Sequence, residues 1–156
     1  MPTRPTSATL LKQDARERYS LAFDTDYADL YHHIRPGYQA EIMPFLTDLP
    51  PGLAIDLGAG TGLFTDQLIA AGWDVVAIDP AASTLQVLAN NHPQVVTVVS
   101  PVETVDTTPW QASADLVVCA QAWHWIDTEE GSQRVGDLLT AQGVFGVVHH
   151  QIDTSI

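Results

Sequence analysis

One segment of this chain constrains its fold more than any other: residues 53–62, which read LAIDLGAGTG. The first half is an apolar run that ends near an acid, Asp56, and the second half places glycine at the alternate positions 58, 60 and 62. Glycine allows a tight turn, and without a Cβ atom it lets a ligand come close to the backbone. An apolar strand, a glycine turn and a following helix are typical of α/β folds that hold a polar ligand against the main chain.

The same alternation of apolar strands and helices continues to residue 148. Strands are predicted at residues 53–57, 74–79, 95–99, 115–120 and 143–148, and helices after the glycine turn as far as Gly72 and at residues 81–90 and 128–142. Asp127 with Glu130 offers a capping box for the last helix, and Gly143 a stop. Strands that alternate with helices predict a parallel sheet with helices on both faces, which is a Rossmann-like, doubly wound α/β fold.

The length of 156 residues fits one domain with a substantial core. We expect residues 1–12, which are rich in Pro, Thr and Ser, to form a disordered tail. Residues 13–52 are expected to form an N-terminal helical segment that ends at Pro50-Pro51-Gly52. Residues 53–156 would then form the α/β core, and the helical segment would belong to the same domain.

The charge pattern excludes one class of partner. The chain carries a formal net charge of −13, and from Pro36 onward Arg134 is the only Lys or Arg against fourteen Asp and Glu residues. Such a surface repels phosphate backbones, so we expect no binding to DNA or RNA. The charge by itself points to no particular substrate.

Three sequence features favour a cytoplasmic protein without membrane contact. The first residues, MPTRPTSATL, lack the apolar core of a secretory signal. No run approaches the roughly twenty apolar residues of a membrane span. The single cysteine, Cys119, lies in an apolar run where we expect a small buried hydrophobe, and it can form no intramolecular disulfide, which fits a reducing compartment.

Two acids follow apolar strands that should be neighbours in the sheet. Asp56 and Asp79 fall at the carboxyl ends of the first and second strands, the edge at which ligands bind in such sheets. We therefore expect both carboxylates to line the same crevice. Asp79, about twenty residues after the glycine turn, suits the two ribose hydroxyls of a nucleoside, and the helix after the turn presents free N–H groups to an anion. A nucleoside cofactor is implied.

Two details favour S-adenosylmethionine over a nicotinamide dinucleotide. Position 63 is Leu, so the glycines read GxGxG and not GxGxxG. Asp56 would also lie near a pyrophosphate, where each like-charge contact at about 5 Å costs roughly 3 kcal/mol at an effective dielectric of about 20. The methionine part of S-adenosylmethionine instead offers an ammonium and a sulfonium to the acid. A dinucleotide-dependent oxidoreductase is therefore the weaker alternative.

Several segments, in order along the chain, resemble a known family. Residues 53–62 and 75–80 resemble the first and second motifs of class I S-adenosylmethionine-dependent methyltransferases, and residues 100–103 (SPVE) and 115–127 continue the resemblance. AQAWHWID, within the last of these segments, and YHHIRPGY at residues 31–38 are similar to the methyltransferase-11-like subgroup. The resemblance implies a sheet of order 3-2-1-4-5, S-adenosylmethionine as cofactor and the methylation of a small organic acceptor.

The resemblance also implies a set of cofactor-binding residues. In chain order they are Asp56, Gly58, Ala59, Gly60, Gly62, Asp79, Pro80, Val102, Ala120 and Gln121. The glycines would hold the methionine moiety, Asp56 would support the turn or the ammonium group, and Asp79 would hold the ribose hydroxyls. Pro80, Val102 and the backbone of Ala120 and Gln121 would border the adenine or the sulfonium. Pro101 stands where relatives often have a polar residue.

One histidine and three residues near the N-terminus are candidates for roles around the cofactor. Methyl transfer by direct displacement depends on alignment in a dry pocket more than on a strong base, so no catalytic residue need be visible. His124 is a candidate general base, although a His between two Trp residues is more often a packing or hydrogen-bonding element. Tyr31, Arg35 and Tyr38 are expected either to cover the cofactor or to dock the N-terminal segment on the sheet.

Other site chemistries lack their motifs. The pairs His32-His33 and His149-His150 have neither a nearby Cys nor a helical partner, so we expect solvated pairs and no metal site. There is no G-x-S-x-G motif and no phosphate loop with a Lys, which argues against a serine hydrolase and a nucleotide triphosphatase.

The end of the chain departs from the family pattern. Class I methyltransferases usually finish with two further strands, whereas eight residues follow strand five here, fewer than a parallel crossover requires. We therefore expect a truncated sheet in which the apolar residues 144–148 form an uncovered edge, and self-association through that edge. A catalytically inactive cofactor-binding or interaction module is the alternative to an active methyltransferase.

Overall fold

The strands form one parallel sheet in the computed structural model, which describes His32 and residues 37–150. They are β1 (Leu53–Leu57), β2 (Asp74–Asp79), β3 (Val96–Val99), β4 (Ala114–Ala120) and β5 (Leu139–Val148). Their order in the sheet is β3-β2-β1-β4-β5, and each neighbouring pair is parallel. The predicted fold class and strand order are confirmed.

Helices cover both faces of the sheet, as right-handed crossovers require. The helices are α1 (Met43–Leu46), α2 (Leu63–Ala70), α3 (Ala82–Asn91) and α4 (Thr128–Leu138), and short 3-10 turns occupy Ala40–Ile42, Val102–Thr104, Thr108–Trp110 and Trp123–Trp125. In the ranges that the structure describes, no helix combines the length and the apolar character needed to cross a membrane.

The core consists of two apolar clusters, one on each face of the sheet. Successive side chains of a strand point to opposite faces, so Ala54 of β1 packs with Leu68 and Leu88 on the face of α2 and α3, whereas Ile55 packs with Val135 on the face of α4. Because both faces are covered, four of the five residues of β1 are buried. This double burial explains why the strand is an uninterrupted apolar run apart from its acid.

The described part of the predicted N-terminal segment packs on the first of these clusters. Its contacting residues are Tyr38, Ile42, Met43, Leu46 and Leu49. Within residues 37–52 the predicted helical character is limited to one 3-10 turn and α1, and Pro44 lies in the first turn of α1, where its missing N–H costs no helical hydrogen bond. The tail predicted for residues 1–12 and most of the segment predicted for residues 13–52 lie outside the described residues, and the division into these parts stays a prediction.

The boundary between α4 and β5 differs from the prediction. The sequence predicts a helix to residue 142, whereas α4 ends at Leu138 and β5 begins at the next residue. The carbonyls of Asp137 and Leu138 accept hydrogen bonds from the N–H groups of Ala112 and Ser113, at 2.8 and 3.0 Å. These bonds from a distant segment take the carbonyls at the end of the helix, so the chain enters the sheet earlier than its local sequence indicates.

Gly143 therefore lies within β5 and does not end the helix. The pairing of β4 with β5 shifts register between Ala114 and Leu116. At this irregularity a Cβ atom on Gly143 would lie 2.8 Å from the carbonyl oxygen of Ala114. Gly143, which the sequence predicts as a helix stop, instead permits the close approach of β4 and β5.

β5 lies at one edge of the described sheet, and other parts of the chain partly cover its apolar side chains. Phe145 packs edge to face on Trp123 with ring centroids 5.0 Å apart, and the Leu46 side chain of α1 lies over Gly146. Val147 is 39 % exposed. Self-association through β5 stays a prediction.

Asp127 caps the N-terminus of α4 as predicted, but the reciprocal bond of the capping box comes from Glu103 and not from Glu130. Asp127 Oδ1 accepts from the N–H groups of Glu129 and Glu130, both at 3.1 Å, and the Asp127 N–H donates to Glu103 Oε1 at 2.7 Å.

We expect Asp127→Ala to lower the free energy of unfolding by about 1 kcal/mol in urea denaturation, and Asp127→Asn to lower it by only about a few tenths of a kcal/mol. Equal losses in the two variants would show that the side-chain hydrogen bonds of the cap contribute nothing beyond the charge.

Candidate functional site

The glycine turn between β1 and α2 has a backbone that only glycine adopts readily. Gly58, Gly60 and Gly62 have φ values of +68°, +56° and +95°. These values lie in the left-handed region, which costs an L side chain roughly 1–2 kcal/mol. The N–H groups of Gly58 and Ala59 both donate to the carbonyl of Ile78, at 2.8 and 3.0 Å. The turn is thereby tied to the carboxyl end of β2.

Two of these glycines also leave no room for a side chain. A Cβ atom on Gly58 would lie 2.6 Å from the Cβ of Ala122, which follows β4. A Cβ atom on Gly62 would lie 2.8 Å from the Leu88 side chain in α3. The turn is therefore wedged between α3 and the segment after β4, and any side chain at these positions would push one of them away.

Asp79, at the end of β2, holds the turn in place. Its Oδ2 accepts from the N–H of Gly60 at 3.0 Å, and its Oδ1 accepts from the N–H of Ala81 at 2.8 Å and from the hydroxyl of Thr84 at 3.3 Å. Burial raises the pKa of Asp79, and these hydrogen bonds, Ala81 first, oppose the rise. The carboxylate predicted to meet a ribose is thus also a structural anchor for the turn.

Asp56 lies beneath the turn and is 1 % exposed. Its Oδ2 accepts the hydroxyl of Thr65 in α2 at 2.7 Å, whereas its Oδ1 has no hydrogen-bond partner among the residues that the structure describes. Burial raises the pKa of Asp56 to about 7; the Thr65 hydrogen bond opposes this rise, and the nearby Asp79 adds to it. Asp56 is therefore tied to α2 through Thr65, and its second oxygen is a candidate contact for a cationic group.

An open cavity, continuous with solvent, lies at the carboxyl ends of the strands. Its lining residues are Gly58, Asp79, Pro80, Pro101, Val102, Glu103, Ala122, Trp125 and Ile126. Most of these walls are apolar, and the Asp79 carboxylate stands among them. A slot of this composition suits a flat, largely apolar group that carries hydroxyls at one end.

The sequence predicted part of this lining. Gly58, Asp79, Pro80 and Val102 lie in the wall. The other predicted residues frame the turn or the end of β4 without lining the cavity, and they are Asp56, Ala59, Gly60, Gly62, Ala120 and Gln121. The sequence predicts that Asp56 and Asp79 line one crevice; both are 1 % exposed, and of the two only Asp79 belongs to the lining of this cavity.

Five lining residues are absent from the predicted set: Pro101, Glu103, Ala122, Trp125 and Ile126. The first two lie in the segment SPVE, which the resemblance had marked. Trp125 and Ile126 belong to the segment AQAWHWID, which did mark this part of the chain. Glu103 is buried, and its carbonyl accepts a hydrogen bond from Nε of Arg134 at 3.1 Å. It joins the cavity wall to α4, a contact between segments that no local pattern indicates.

Gln121 has a strained backbone directly after β4. Its φ is +59°, although it is not a glycine, and its N–H donates to the carbonyl of Val148 at 2.8 Å. Its side-chain Nε2 is buried and finds no acceptor in the described part of the chain. Strain together with an unsatisfied donor is typical of a residue held ready for a ligand.

His124 lies on the surface beside the cavity. Its ring centroid is 5.1 Å from that of Trp125 and 6.1 Å from that of His149. Burial lowers the pKa of His124, and the neighbouring His149 lowers it further. The lowered pKa favours the neutral imidazole, which is the form that can accept a proton.

The remaining sequence candidates have mixed outcomes. Tyr38 packs on Phe64 and His150, with ring centroids 4.9 and 4.5 Å away, so it docks on the sheet and does not line the cavity. Tyr31, His33 and Arg35 lie outside the described residues. The expectation of a solvated pair is wrong for His32, whose side chain is 13 % exposed. Over residue 32 and residues 37–150, no group of three or more His, Cys, Asp or Glu is arranged to hold a metal ion.

Comparisons with known proteins agree on one family. Residues 55–145 match the family model described as "Methyltransferase domain". An uncharacterized methyltransferase of Mycobacterium tuberculosis is 35 % identical over 139 residues, which cover 89 % of this chain and 56 % of that protein. An uncharacterized methyltransferase-like protein of Schizosaccharomyces pombe is 33 % identical over 144 residues, which cover 86 % of this chain and 53 % of that protein. The chain spans about half the length of the curated relatives it matches.

A solved structure supports the same fold. Phosphoethanolamine N-methyltransferase 1 of Haemonchus contortus, solved with phosphoethanolamine and S-adenosylhomocysteine, aligns with a TM-score of 0.68 over 92 % of this chain and 33 % of its own. At 15 % sequence identity, this likeness concerns the fold alone.

Proposed function

This chain belongs to the class I, S-adenosylmethionine-dependent methyltransferase family, and from that premise we propose that it binds S-adenosylmethionine at the glycine turn and transfers the methyl group to a small organic acceptor. The observation that carries the proposal is that Gly58 of the turn and the Asp79 carboxylate line one apolar cavity. A small acceptor is favoured because the acidic surface, with a net charge of −13, opposes nucleic acid.

The cavity fits the nucleoside part of this cofactor. Asp79 Oδ2 holds one N–H group, that of Gly60, at 3.0 Å, and a carboxylate oxygen can accept a second hydrogen bond, here from a ribose hydroxyl. The apolar walls formed by Pro80, Val102 and Ile126 suit the faces of an adenine ring. Pro101 offers no side-chain polar group to the adenine.

Two buried polar atoms fit the methionine part. Asp56 Oδ1 is an acceptor without a donor, and Gln121 Nε2 is a donor without an acceptor, among the residues for which the structure gives positions. The methionine part of the cofactor carries an ammonium and a carboxylate, which complement these two atoms in sign. Buried groups left unsatisfied cost free energy, so a ligand that satisfies both would gain it.

S-adenosylmethionine, when bound, supplies the methyl group on a sulfonium. This chain would bind and orient the cofactor and exclude water from it. The turn would hold the methionine part, Asp79 would hold the ribose, and the apolar residues around Trp125 would limit the access of water. His124, neutral and adjacent to the cavity, is positioned as an acceptor for the proton of a hydroxyl or amine substrate. Alignment remains the larger requirement, so removal of His124 should reduce turnover and not cofactor affinity.

Calorimetric titration tests the cofactor directly. S-adenosylhomocysteine should bind, and NAD should not, because Asp56 would oppose a pyrophosphate. Binding of NAD without binding of S-adenosylhomocysteine would overturn the proposal in favour of an oxidoreductase. Binding of S-adenosylhomocysteine with no methyl transfer to any of a panel of small acceptors would favour a cofactor-binding module.

Asp79→Asn should weaken the binding of S-adenosylhomocysteine by about tenfold to a hundredfold, equivalent to roughly 1–3 kcal/mol. An amide can still accept from Ala81, but its NH₂ group would face the N–H of Gly60 and could not accept from both the turn and a ribose. Asp74→Asn is a matched control, since it removes an exposed carboxylate at the amino end of the same strand. Equal affinities for the Asp79 variant and the control would contradict the ribose assignment.

A further inference from the structure

His32 is in contact with the glycine turn from outside it. Its Nδ1 lies 2.9 Å from the Oγ1 of Thr61. Its Nε2 lies 3.7 Å from the Oδ2 of Asp66 in α2, and the other oxygen of that carboxylate lies 2.6 Å from the Nε2 of His92, directly after α3. Four side chains therefore form one cluster at the turn: His32, Thr61, Asp66 and His92.

Thr61 is the part of the turn that this cluster reaches. In the sequence GAGTG at residues 58–62, Thr61 is the only residue with a polar side chain. It is 2 % exposed, so its hydroxyl needs a partner within the protein. Glycine has more backbone freedom to lose than any other residue, and a hydrogen bond at Thr61 restricts the backbone on both sides of it.

The Asp66 carboxylate lies on the side of the His32 ring away from Thr61. A carboxylate near Nε2 favours a proton on that nitrogen. The Nδ1 atom is the nitrogen that lies within hydrogen-bond distance of the Thr61 hydroxyl. His92 holds the same carboxylate from the side of α3 and so limits its movement.

We propose that His32 is a positioning residue for the cofactor loop: it forms a hydrogen bond with the Thr61 hydroxyl through Nδ1, and Asp66, held by His92, orients its ring. The role rests on the proposed function only in taking S-adenosylmethionine as the ligand of that loop. His32 touches no reacting atom, and its effect is to hold residues 60–62 in the conformation that the ligand needs.

Three substitutions at position 32 separate the two contacts. Asn places a side-chain oxygen near the position of the imidazole Nδ1, so His32→Asn can keep the bond to Thr61 and loses Asp66. Gln reaches the position of Nε2, so His32→Gln can keep Asp66 and loses Thr61, and His32→Ala loses both. We expect His32→Ala and His32→Gln to weaken the binding of S-adenosylhomocysteine by about tenfold, and His32→Asn by less than about threefold.

Amide hydrogen exchange in the ligand-free protein gives a second measurement that does not depend on the cofactor. The N–H groups of Gly60 and Gly62 are both hydrogen-bonded, to Asp79 Oδ2 and to the carbonyl of Ala59. Their exchange should become faster in His32→Ala and His32→Gln and stay nearly unchanged in His32→Asn. With Thr61→Val already in place, His32→Ala should have little further effect on either measurement.

The outcomes separate this role from the proposed function. Equal exchange rates in all three variants, or a loss that tracks the melting temperature and does not distinguish Asn from Gln, would overturn the positioning role. If the exchange rates follow the expected order but the wild-type protein does not bind S-adenosylhomocysteine, the role of His32 stands and the proposed function fails. If the wild-type protein binds S-adenosylhomocysteine but the exchange rates do not follow the expected order, the proposed function stands and the role of His32 fails.

Discussion

Gly58→Ala is expected to lower the free energy of unfolding by about 2–4 kcal/mol and to weaken the binding of S-adenosylhomocysteine by at least about tenfold. The new Cβ atom would sit at a φ of +68° and 2.6 Å from the Cβ of Ala122. The costs of the backbone strain and of the overpacking add to each other, and both arise at a residue that lines the cavity. Urea denaturation measures the first loss, and calorimetric titration measures the second.

Two further variants separate the local effect from general destabilisation. Gly72 has a φ of +92°, but a Cβ atom there would meet Pro51 at an ordinary contact distance of 3.6 Å. Gly72→Ala should therefore lose stability through strain and keep its affinity for the cofactor. Adding Ala122→Gly to Gly58→Ala should recover part of the affinity by removing the clash. An equal loss of binding in Gly72→Ala would show that unfolding, and not the shape of the turn, explains the result.

The part of the fold from β1 to β2 could be predicted because local sequence determines it. The observed strands Leu53–Leu57 and Asp74–Asp79 have the predicted limits. Each is an apolar run bounded by Gly52 or Gly72, residues that interrupt regular structure without help from distant contacts. The three glycines of the turn were likewise identified from the sequence, because a tight turn and the close approach of a ligand to the backbone depend on the missing Cβ atom, which is a property of the residue itself.

The features that the sequence could not predict depend on hydrogen bonds between distant segments. α4 ends early because Ala112 and Ser113 donate to the carbonyls at its C-terminus. The second half of its capping box comes from Glu103, twenty-four positions away in the sequence. Neither partner is marked by spacing or composition, so a prediction based on neighbouring residues places the boundary at the next local signal, Gly143.

The candidate site likewise combines features that the local sequence predicts with features that depend on distant contacts. The pattern of strands placed Asp56 and Asp79 at one edge of the sheet, because parallel strands end on the same side. It did not give the depth of either side chain, which depends on what packs above it. Both side chains are 1 % exposed; Asp56 accepts a hydrogen bond from Thr65, whereas Asp79 accepts one from the N–H of Gly60 and belongs to the lining of the cavity. The contact of His32 with Thr61 also joins residues twenty-nine positions apart.

Asp56→Asn is expected to stabilise the cofactor-free protein by up to about 4 kcal/mol above pH 7, and by much less near pH 4. Burial raises the pKa of Asp56 from 3.8 to about 7. An acid that holds its proton more tightly in the folded state lowers stability as the pH rises from the unfolded pKa to the folded pKa, because the unfolded chain loses its proton first. An amide has no such titration, so urea denaturation at several pH values from 4 to 8 should give a flatter curve.

The same substitution should change binding in the opposite direction. The Asn oxygen can still accept the hydroxyl of Thr65, but an amide carries no charge to offer the ammonium of S-adenosylhomocysteine. Affinity should therefore fall while stability rises, as expected where a buried charge is kept for function. Asp74→Asn removes an exposed carboxylate from the neighbouring strand and should alter neither quantity. Parallel stability curves for the wild-type protein and Asp56→Asn from pH 4 to 8 would contradict a buried, proton-holding carboxyl beneath the turn.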